Sequence, residues 1–271
     1  MNITSSRVLL IGATGGIGQK IAAVLQSAGA NLLLVGRNIS KLDQLKSDIE
    51  QGHEYKPRVI AADITTVAGR DSILEAVNYY PGGINVLINC AGMNNFGLFE
   101  KLDEKTILKV VDTNLTAPLH LIQMMLPKLK QQPSAHILNI GSTFGSIGYA
   151  GFSVYCASKF ALRGFTEALR RELADTSITV SYVAPRATNT ELNSSAVFSM
   201  NRELNIDMDL PEIVAERVLE TLISGSKEVY LGWPERFFIK LNSLFPRLVD
   251  KALKKQLPVI KRHAGRTTFL N

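Results

Sequence analysis

The chain has 271 residues, 46% hydrophobic and 20% charged, enough for one large domain or two small ones, and wholesale disorder is excluded. Its net charge of +6 is uneven: residues 236–271 carry nine Lys/Arg against one acid, Asp250, and the other 235 residues net −2. Two cysteines, Cys90 and Cys156, with no CxxC and no Cys/His cluster, argue against a disulfide framework and predict no metal site.

Along the chain, short runs rich in Val, Ile and Leu at 7–11, 31–36, 58–62, 84–89, 135–141, 179–184 and 228–231 read as strands. Most are apolar throughout, the pattern of a parallel sheet covered on both faces. Helical periodicity fills 17–28, 40–51, 67–79, 103–130, 153–174 and 211–223. The alternation predicts βαβ crossovers and a doubly wound α/β sheet. The polar segment 186–209 lacks periodicity and reads as a long loop or a helical lid. Residues 234–258 regain a helical pattern, interrupted at Pro246 and Pro258. No apolar run approaches 18 residues, and the first is too short for a signal peptide, so a reducing cytoplasm is the expected setting.

The first strand runs into Gly12-Ala13-Thr14-Gly15-Gly16-Ile17-Gly18, and a helix follows. Such a turn lets backbone close on a ligand, and the helix N-terminus offers N–H groups and a positive dipole end to phosphate. The glycines read as 12, 16, 18 or as 12, 15, 18, spacings that separate nucleotide-binding families. The second strand ends in Leu34-Val35-Gly36-Arg37-Asn38. A carboxylate here would accept from the adenosine ribose hydroxyls, but Arg37 stands at the position instead. A guanidinium pairs bidentately with a 2′-phosphate, so Arg37 favours NADP(H) over NAD(H). Asp63-Ile64 closes the third strand, where carboxylate and backbone serve either the adenine amino group or a turn or helix cap.

Tyr155 and Lys159 lie four apart at a helix start and so share a face. A tyrosine hydroxyl, with a reference pKa of about 10, is a poor acid at neutral pH. A nearby ammonium lowers that value and lets the phenol give a proton to a carbonyl oxygen as hydride reaches its carbon. Tyr-x-x-x-Lys alone says little. In order, however, Gly12-x-x-x-Gly16-x-Gly18, Asn89-Cys90-Ala91-Gly92, Asn114, Ser142 and Tyr155-x-x-x-Lys159 stand at strand ends or helix starts. Over roughly residues 5–232 the chain thereby resembles the short-chain dehydrogenases/reductases, in their single-domain branch.

The resemblance implies a Rossmann-like, seven-stranded parallel sheet with helices on both faces. It implies Tyr155 as general acid in reduction and base in oxidation. Lys159 would lower the Tyr155 pKa and bind the nicotinamide ribose, Ser142 would orient the substrate carbonyl, and Asn114 would hold a water linking Lys159 to solvent. Read alone, Ser142 is a turn serine and Asn114 a helix N-cap ahead of Leu115. Thr14, Gly15 and Ile17 would join the glycines of the cradle. Asn89, Ala91 and Gly92 would support the sheet beside the cofactor. Pro185, Thr188 and Thr190 would stand at its nicotinamide end, with Thr190 on the carboxamide. Cys90 and Cys156 have no visible base partner and read as bystanders.

Three departures from the family pattern stand out. Ile11 replaces a frequent Thr. Arg186 replaces a frequent Gly and reads as solvent-facing in preference to pairing an anionic substrate. The third is a basic tail, 234–271, appended to a catalytic domain of residues 1–233. In it Phe237, Leu241, Leu244, Phe245, Leu248, Val249, Ala252 and Leu253 recur at helical spacing among Arg236, Lys240, Arg247, Lys251, Lys254 and Lys255. Such a segment docks on its own core or a partner subunit, or lies on an anionic membrane surface. The prolines and the lack of a motif argue against nucleic acid.

The expected activity is an NADPH-dependent reductase, or reversible dehydrogenase, moving hydride between nicotinamide and a carbonyl or secondary alcohol of an apolar substrate. A homo-dimer or tetramer is the expected assembly. Two rivals are an NAD-dependent hydroxysteroid- or retinol-type dehydrogenase and a catalytically quiet dinucleotide sensor or membrane scaffold. The intact Ser142, Tyr155 and Lys159 set argues against the second.

Overall fold

Successive residues of an extended strand point to opposite sides, so a run of apolar residues buries itself only where both sides are covered. The structure, a computed structural model, describes residues 1–52 and 55–265, and the end of the expected tail, 266–271, lies outside the described residues. The first half runs β1 (Arg7–Ile11), α1 (Gly16–Ser27), β2 (Asn31–Gly36), α2 (Ile39–Ile49), β3 (Arg58–Ala61), α3 (Val67–Asn78), β4 (Val86–Asn89), α4 (Glu104–Val111) and α5 (Ala117–Leu129). The second half runs β5 (Ala135–Ile140), α6 (Ser153–Glu172), β6 (Ile178–Ala184), α7 (Ser195–Glu203), α8 (Pro211–Ser224), β7 (Glu228–Tyr230), α9 (Trp233–Leu244), α10 (Pro246–Lys254) and α11 (Leu257–Ala264).

Among the described residues the strands form one seven-stranded sheet in the order β3-β2-β1-β4-β5-β6-β7, parallel throughout. Val8, Leu10, Leu32, Leu34, Val86 and Ile88 face α1 and α8, meeting Ile21, Leu25, Val214 and Val218. Their neighbours Leu9, Ile11, Leu33, Val35 and Leu87 face the other way, onto Ile73 of α3, Leu121 and Met125 of α5 and Leu169 of α6. The chain leaves β1 toward β2 on one side and returns as β4 on the other. That reversal opens a crevice at the carboxyl ends of the strands.

Of three local outcomes, the first differs from the sequence expectation and the other two refine it. The helix expected over 103–130 is two helices joined by a π-turn, Asp112–Thr116, with Asn114 at its centre. Segment 186–209 contains α7, started by Ser194, whose side chain accepts from Val197 N. The helical pattern is interrupted at Pro246, where α9 has ended and α10 begins, and Pro258 stands in the first turn of α11; proline's missing N–H costs nothing in a first turn. The tail helices return to the body of the protein. Ile260 and Ala264 of α11 pack with Phe96, Tyr149, Phe152, Val197 and Met200 in a third apolar cluster beside the carboxyl ends of the strands.

Candidate active site

The β1–α1 turn is shaped for close approach. Gly12 has φ +80°, and a Cβ there would lie 2.5 Å from Ala91 N. A Cβ at Gly18 would strike Gly12 O, and one at Gly16 would sit 2.8 Å from Thr190 Cγ2. At Gly15 the nearest such atom is 3.5 Å away and φ is an ordinary −78°. The turn therefore requires glycine at 12, 16 and 18, which settles the two readings of the spacing. No side chain caps the start of α1, so its leading N–H groups remain for an anion.

A cleft of about 450 Å³ extends from this turn. Thr14, Gly15, Ile17, Arg37, Asp63, Ile64, Ala91, Gly92, Tyr155, Lys159 and Thr190 line it, with the glycines of the turn. Arg37 is exposed and has no ion pair among the described residues. Lys41 and Lys109 also line the cleft and were not singled out in the sequence. The Asp63 carboxylate serves its own turn, accepting from Thr65 N at 2.9 Å and Thr65 Oγ1 at 2.7 Å. Partial burial raises its pKa, but those bonds and the Arg37 and Lys109 charges outweigh it and hold the carboxyl below its usual value. Asn89 lies behind the cleft, where its Nδ2 donates to Asn139 Oδ1 and ties β4 to β5.

An apolar cavity of about 490 Å³ adjoins the cleft. Its walls include Phe144, Tyr149, Phe152, Val197, Met200 and, from the tail, Phe238, Val249 and Leu253. Pro185 and Thr188 line this cavity, close to where it adjoins the cleft at Thr190. Pro185 O accepts from Thr143 N, and the Thr188 hydroxyl donates to Arg186 O. Tyr155 and Thr190 belong to both spaces. Ser142 faces the cavity and Lys159 the cleft.

The Ser142 backbone is clamped by Tyr182, whose hydroxyl accepts from Ser142 N at 3.2 Å and donates to Ser142 O at 3.3 Å. Ser142 Oγ accepts from Phe144 N, as a turn serine does. Asn114 is not a helix cap. From the π-turn its Oδ1 accepts from Met93 N at 2.7 Å, and its Nδ2 donates to Met93 O and Ser158 Oγ. Ser158 in turn donates to Tyr155 O, so Asn114 braces the turn that carries Tyr155. Asn114 Oδ1 and Lys159 Nζ both border Gly92. Sequence offers no signal for Tyr182 or Ser158, which act through partners distant along the chain.

Burial governs the titrating groups. It pushes Tyr155 up to about 12, against the Ser142 side chain, which pulls it down. It brings buried Lys159 down to about 8. Lys159 Nζ donates to Ile140 O at 3.0 Å and lies 5.8 Å from the centre of the Tyr155 ring. In this arrangement desolvation dominates at Tyr155, and the Lys159 ammonium sits over the ring and donates to a carbonyl. Cys90 is likewise pushed up to about 12 by burial, the value of an inert thiol. Arg186 does not face solvent. Its Nε and Nη2 bond Asp209 Oδ1 at 2.9 and 2.7 Å, and Nη1 reaches Glu235 Oε1 at 3.5 Å.

A family model described as short chain dehydrogenase matches residues 6–200. An uncharacterized oxidoreductase of Staphylococcus epidermidis is 31% identical over 199 residues, 72% of this chain and 84% of the relative. The solved structure of a short-chain dehydrogenase from Sphingobium yanoikuyae, in complex with NADPH, matches with a TM-score of 0.75 at 26% identity, over 90% of this chain and 95% of that one. A short-chain dehydrogenase/reductase from Burkholderia phymatum, in complex with NAD, gives a TM-score of 0.81 at 19% identity, over 92% and 96%, a likeness of fold alone.

Proposed function

The chain belongs to the short-chain dehydrogenase/reductase family, and on that premise we propose that it is an NADPH-dependent reductase, working reversibly on a carbonyl or secondary alcohol of a bulky apolar substrate. One observation carries the reading: Tyr155 stands in the wall common to the glycine-rich cleft and the apolar cavity, with Lys159 on the cleft side and Ser142 on the cavity side. A hydride donor in the cleft and a carbonyl in the cavity would meet at the tyrosine.

The cradle fits a dinucleotide, because a Cβ at Gly12, Gly16 or Gly18 would fill it and the start of α1 is uncapped. Gly12, Gly16, Gly18 and the leading N–H groups of α1 would hold the pyrophosphate. Arg37 and Lys41 would take the 2′-phosphate, which supports NADP(H) over NAD(H). Asp63 and Ile64 would stand at the adenine, and Lys159 and Thr190 at the nicotinamide end. When bound, the reduced nicotinamide supplies the hydride.

The Ser142 hydroxyl accepts from Phe144 N, and its own hydrogen, which faces the Tyr155 oxygen, would turn to the substrate carbonyl oxygen when substrate is bound. Tyr155 is a neutral phenol and gives that oxygen its proton. Asn114 Oδ1 has one lone pair engaged by Met93 N, and the second can hold a water that passes a proton from the Lys159 side. The aromatic and aliphatic cavity walls support an apolar substrate. Both cysteines are free thiols, which suits a reducing compartment. A homo-dimer or tetramer belongs to the same reading, as family members often oligomerise.

Tyr155→Phe tests the proposal. Turnover of a panel of bulky ketones with NADPH should fall by ~10²–10⁴-fold, while NADPH binding, followed by nicotinamide fluorescence, stays within a few-fold. Full activity in this variant would overturn the assignment.

A further inference from the structure

We propose that the exposed face of α9 and α10 docks this protein on an anionic lipid bilayer. On α9, Ile239 is buried and Asn242 Nδ2 donates to Ser146 O, which fixes the inward side. The outward side carries Trp233, 75% exposed, with Phe237 and Leu244. Their spacing of four and seven puts them on one stripe. Phe245 and Leu248 extend it across the junction into α10, both exposed. Ring contacts at 6.3 Å between Trp233 and Phe237, and at 6.0 Å between Phe237 and Phe238, make the aromatic part continuous. An exposed apolar surface of this kind marks an interaction site.

Charge selects the occupant. Arg236, Lys240, Arg247, Lys251, Lys254 and Lys255 are all exposed and have no ion pair among the described residues. The acids of these helices are Asp250 and Glu235, and Glu235 is already engaged by Arg186. A second copy seated face to face would bring these cations against their equals. Anionic headgroups would neutralise them while the stripe enters the acyl boundary. Among the described residues no helix is long and apolar enough to cross a membrane, so the contact is interfacial. Pro234 and Phe238 also line the apolar cavity, which would set that wall beside lipid, a route for an apolar ketone or alcohol. This consequence rests on the reductase reading, and the docking does not.

Trp233 is the sole tryptophan of the chain, so its emission reports the face directly. Full-length protein is mixed with phosphatidylcholine vesicles, with and without phosphatidylglycerol. With the anionic vesicles alone, emission should shift to the blue, brominated acyl chains should quench it, and the protein should co-sediment. Replacing Lys240, Arg247 and Lys251 together by Gln should lower partitioning by ~100-fold, at roughly fivefold per charge near an anionic surface. The pair Phe237→Ser and Leu248→Ser should abolish the blue shift and the co-sedimentation, yet reduce a water-soluble ketone at the parent rate. That control shows the variant folded, and it reads docking separately from activity. Unshifted emission with all protein in the supernatant would overturn the proposal. So would a blue-shifted emission in lipid-free protein that dilution removes, which would assign the face to a second copy.

Discussion

Burial disfavours the charged form of both central groups, and it acts on them in opposite directions. Tyr155 is pushed up to about 12 and Lys159 down to about 8. The phenol therefore keeps its proton across the working range, while the ammonium is lost on the alkaline side. If the charge on Lys159 supports proton delivery, kcat/KM for ketone reduction should be flat at neutral pH and fall tenfold per unit above about pH 8. Lys159→Arg, slower in absolute rate, should carry its plateau at least a unit higher, because a guanidinium stays charged. Parallel pH profiles check this, and a wild-type limb near 10 would refute it. Arg37→Asp addresses the other end of the cleft. A charge-assisted bond is worth ~1.5–3 kcal/mol, so the NADPH/NADH ratio of kcat/KM should fall about a hundredfold. An unchanged ratio would transfer the role to Lys41. At this scale the sequence was legible where geometry is local: four residues along a helix fix the shared face of Tyr155 and Lys159. It was not legible at Asn114, whose π-turn has no compositional signature and whose partners Met93 and Ser158 lie 21 and 44 residues away. The glycine spacing stayed ambiguous for the same reason, since Thr190, at Gly16, decides it from a distant segment.

At the scale of elements, the segment after β6 and the tail were the least readable, and they are joined to each other. Amphipathic periodicity announces that a helix has an apolar face, but not what covers it. Pro246 and Pro258 read as interruptions because proline excludes helix interiors, yet it equally suits helix starts. Arg186 looked like a solvated substitution because Asp209 and Glu235 lie 23 and 49 residues further on. In the fold it clasps the segment before α8 to the first turn of α9, at the cavity wall. Arg186→Gly, which restores the residue frequent in the family, should therefore loosen the wall. Asp209, 8% exposed, would keep its charge with no cation beside it. The expected cost is about 2–3 kcal/mol, somewhat under the ~3–5 for a fully buried pair, because Arg186 is partly exposed. Urea midpoints would measure it, and limited proteolysis should cut within 187–209 faster than in the parent. Asp209→Asn in the same background should recover part of the loss. An unchanged midpoint would mean that the clasp does not hold the wall.

At the scale of the whole molecule, the order of strands and helices was legible because strands buried on both faces must be apolar along their length. The edges were less so: the strand read at 84–89 begins at Val86, and just before it the Asn85 side chain accepts from Arg7 N and closes the start of β1 against β4. Between β5 and β6 the sheet also holds a buried polar pair that no motif announces, and it contributes to the loss of stability in acid. His136 on β5 is 1% exposed, and its Nε2 lies 2.8 Å from Ser181 Oγ on β6. Ser181 gives its only hydroxyl hydrogen to Ser226 O at 2.6 Å, so it accepts from His136 and the neutral ring carries its proton on Nε2. Burial, assisted by the N-terminal charge, pushes the His136 pKa down to about 4. In the unfolded chain it returns to about 6.5. Between those values the unfolded state binds a proton that the folded state refuses, so stability rises with pH across that window and is lost as pH falls. From pH 7.5 to pH 5 the loss from this one residue should be about 2 kcal/mol. Urea unfolding of the parent and of His136→Gln at both pH values isolates it: the variant, which keeps a donor but cannot be charged, should lose about 2 kcal/mol less on acidification. Equal losses in the two proteins would show that the His136 proton is not what weakens the sheet in acid.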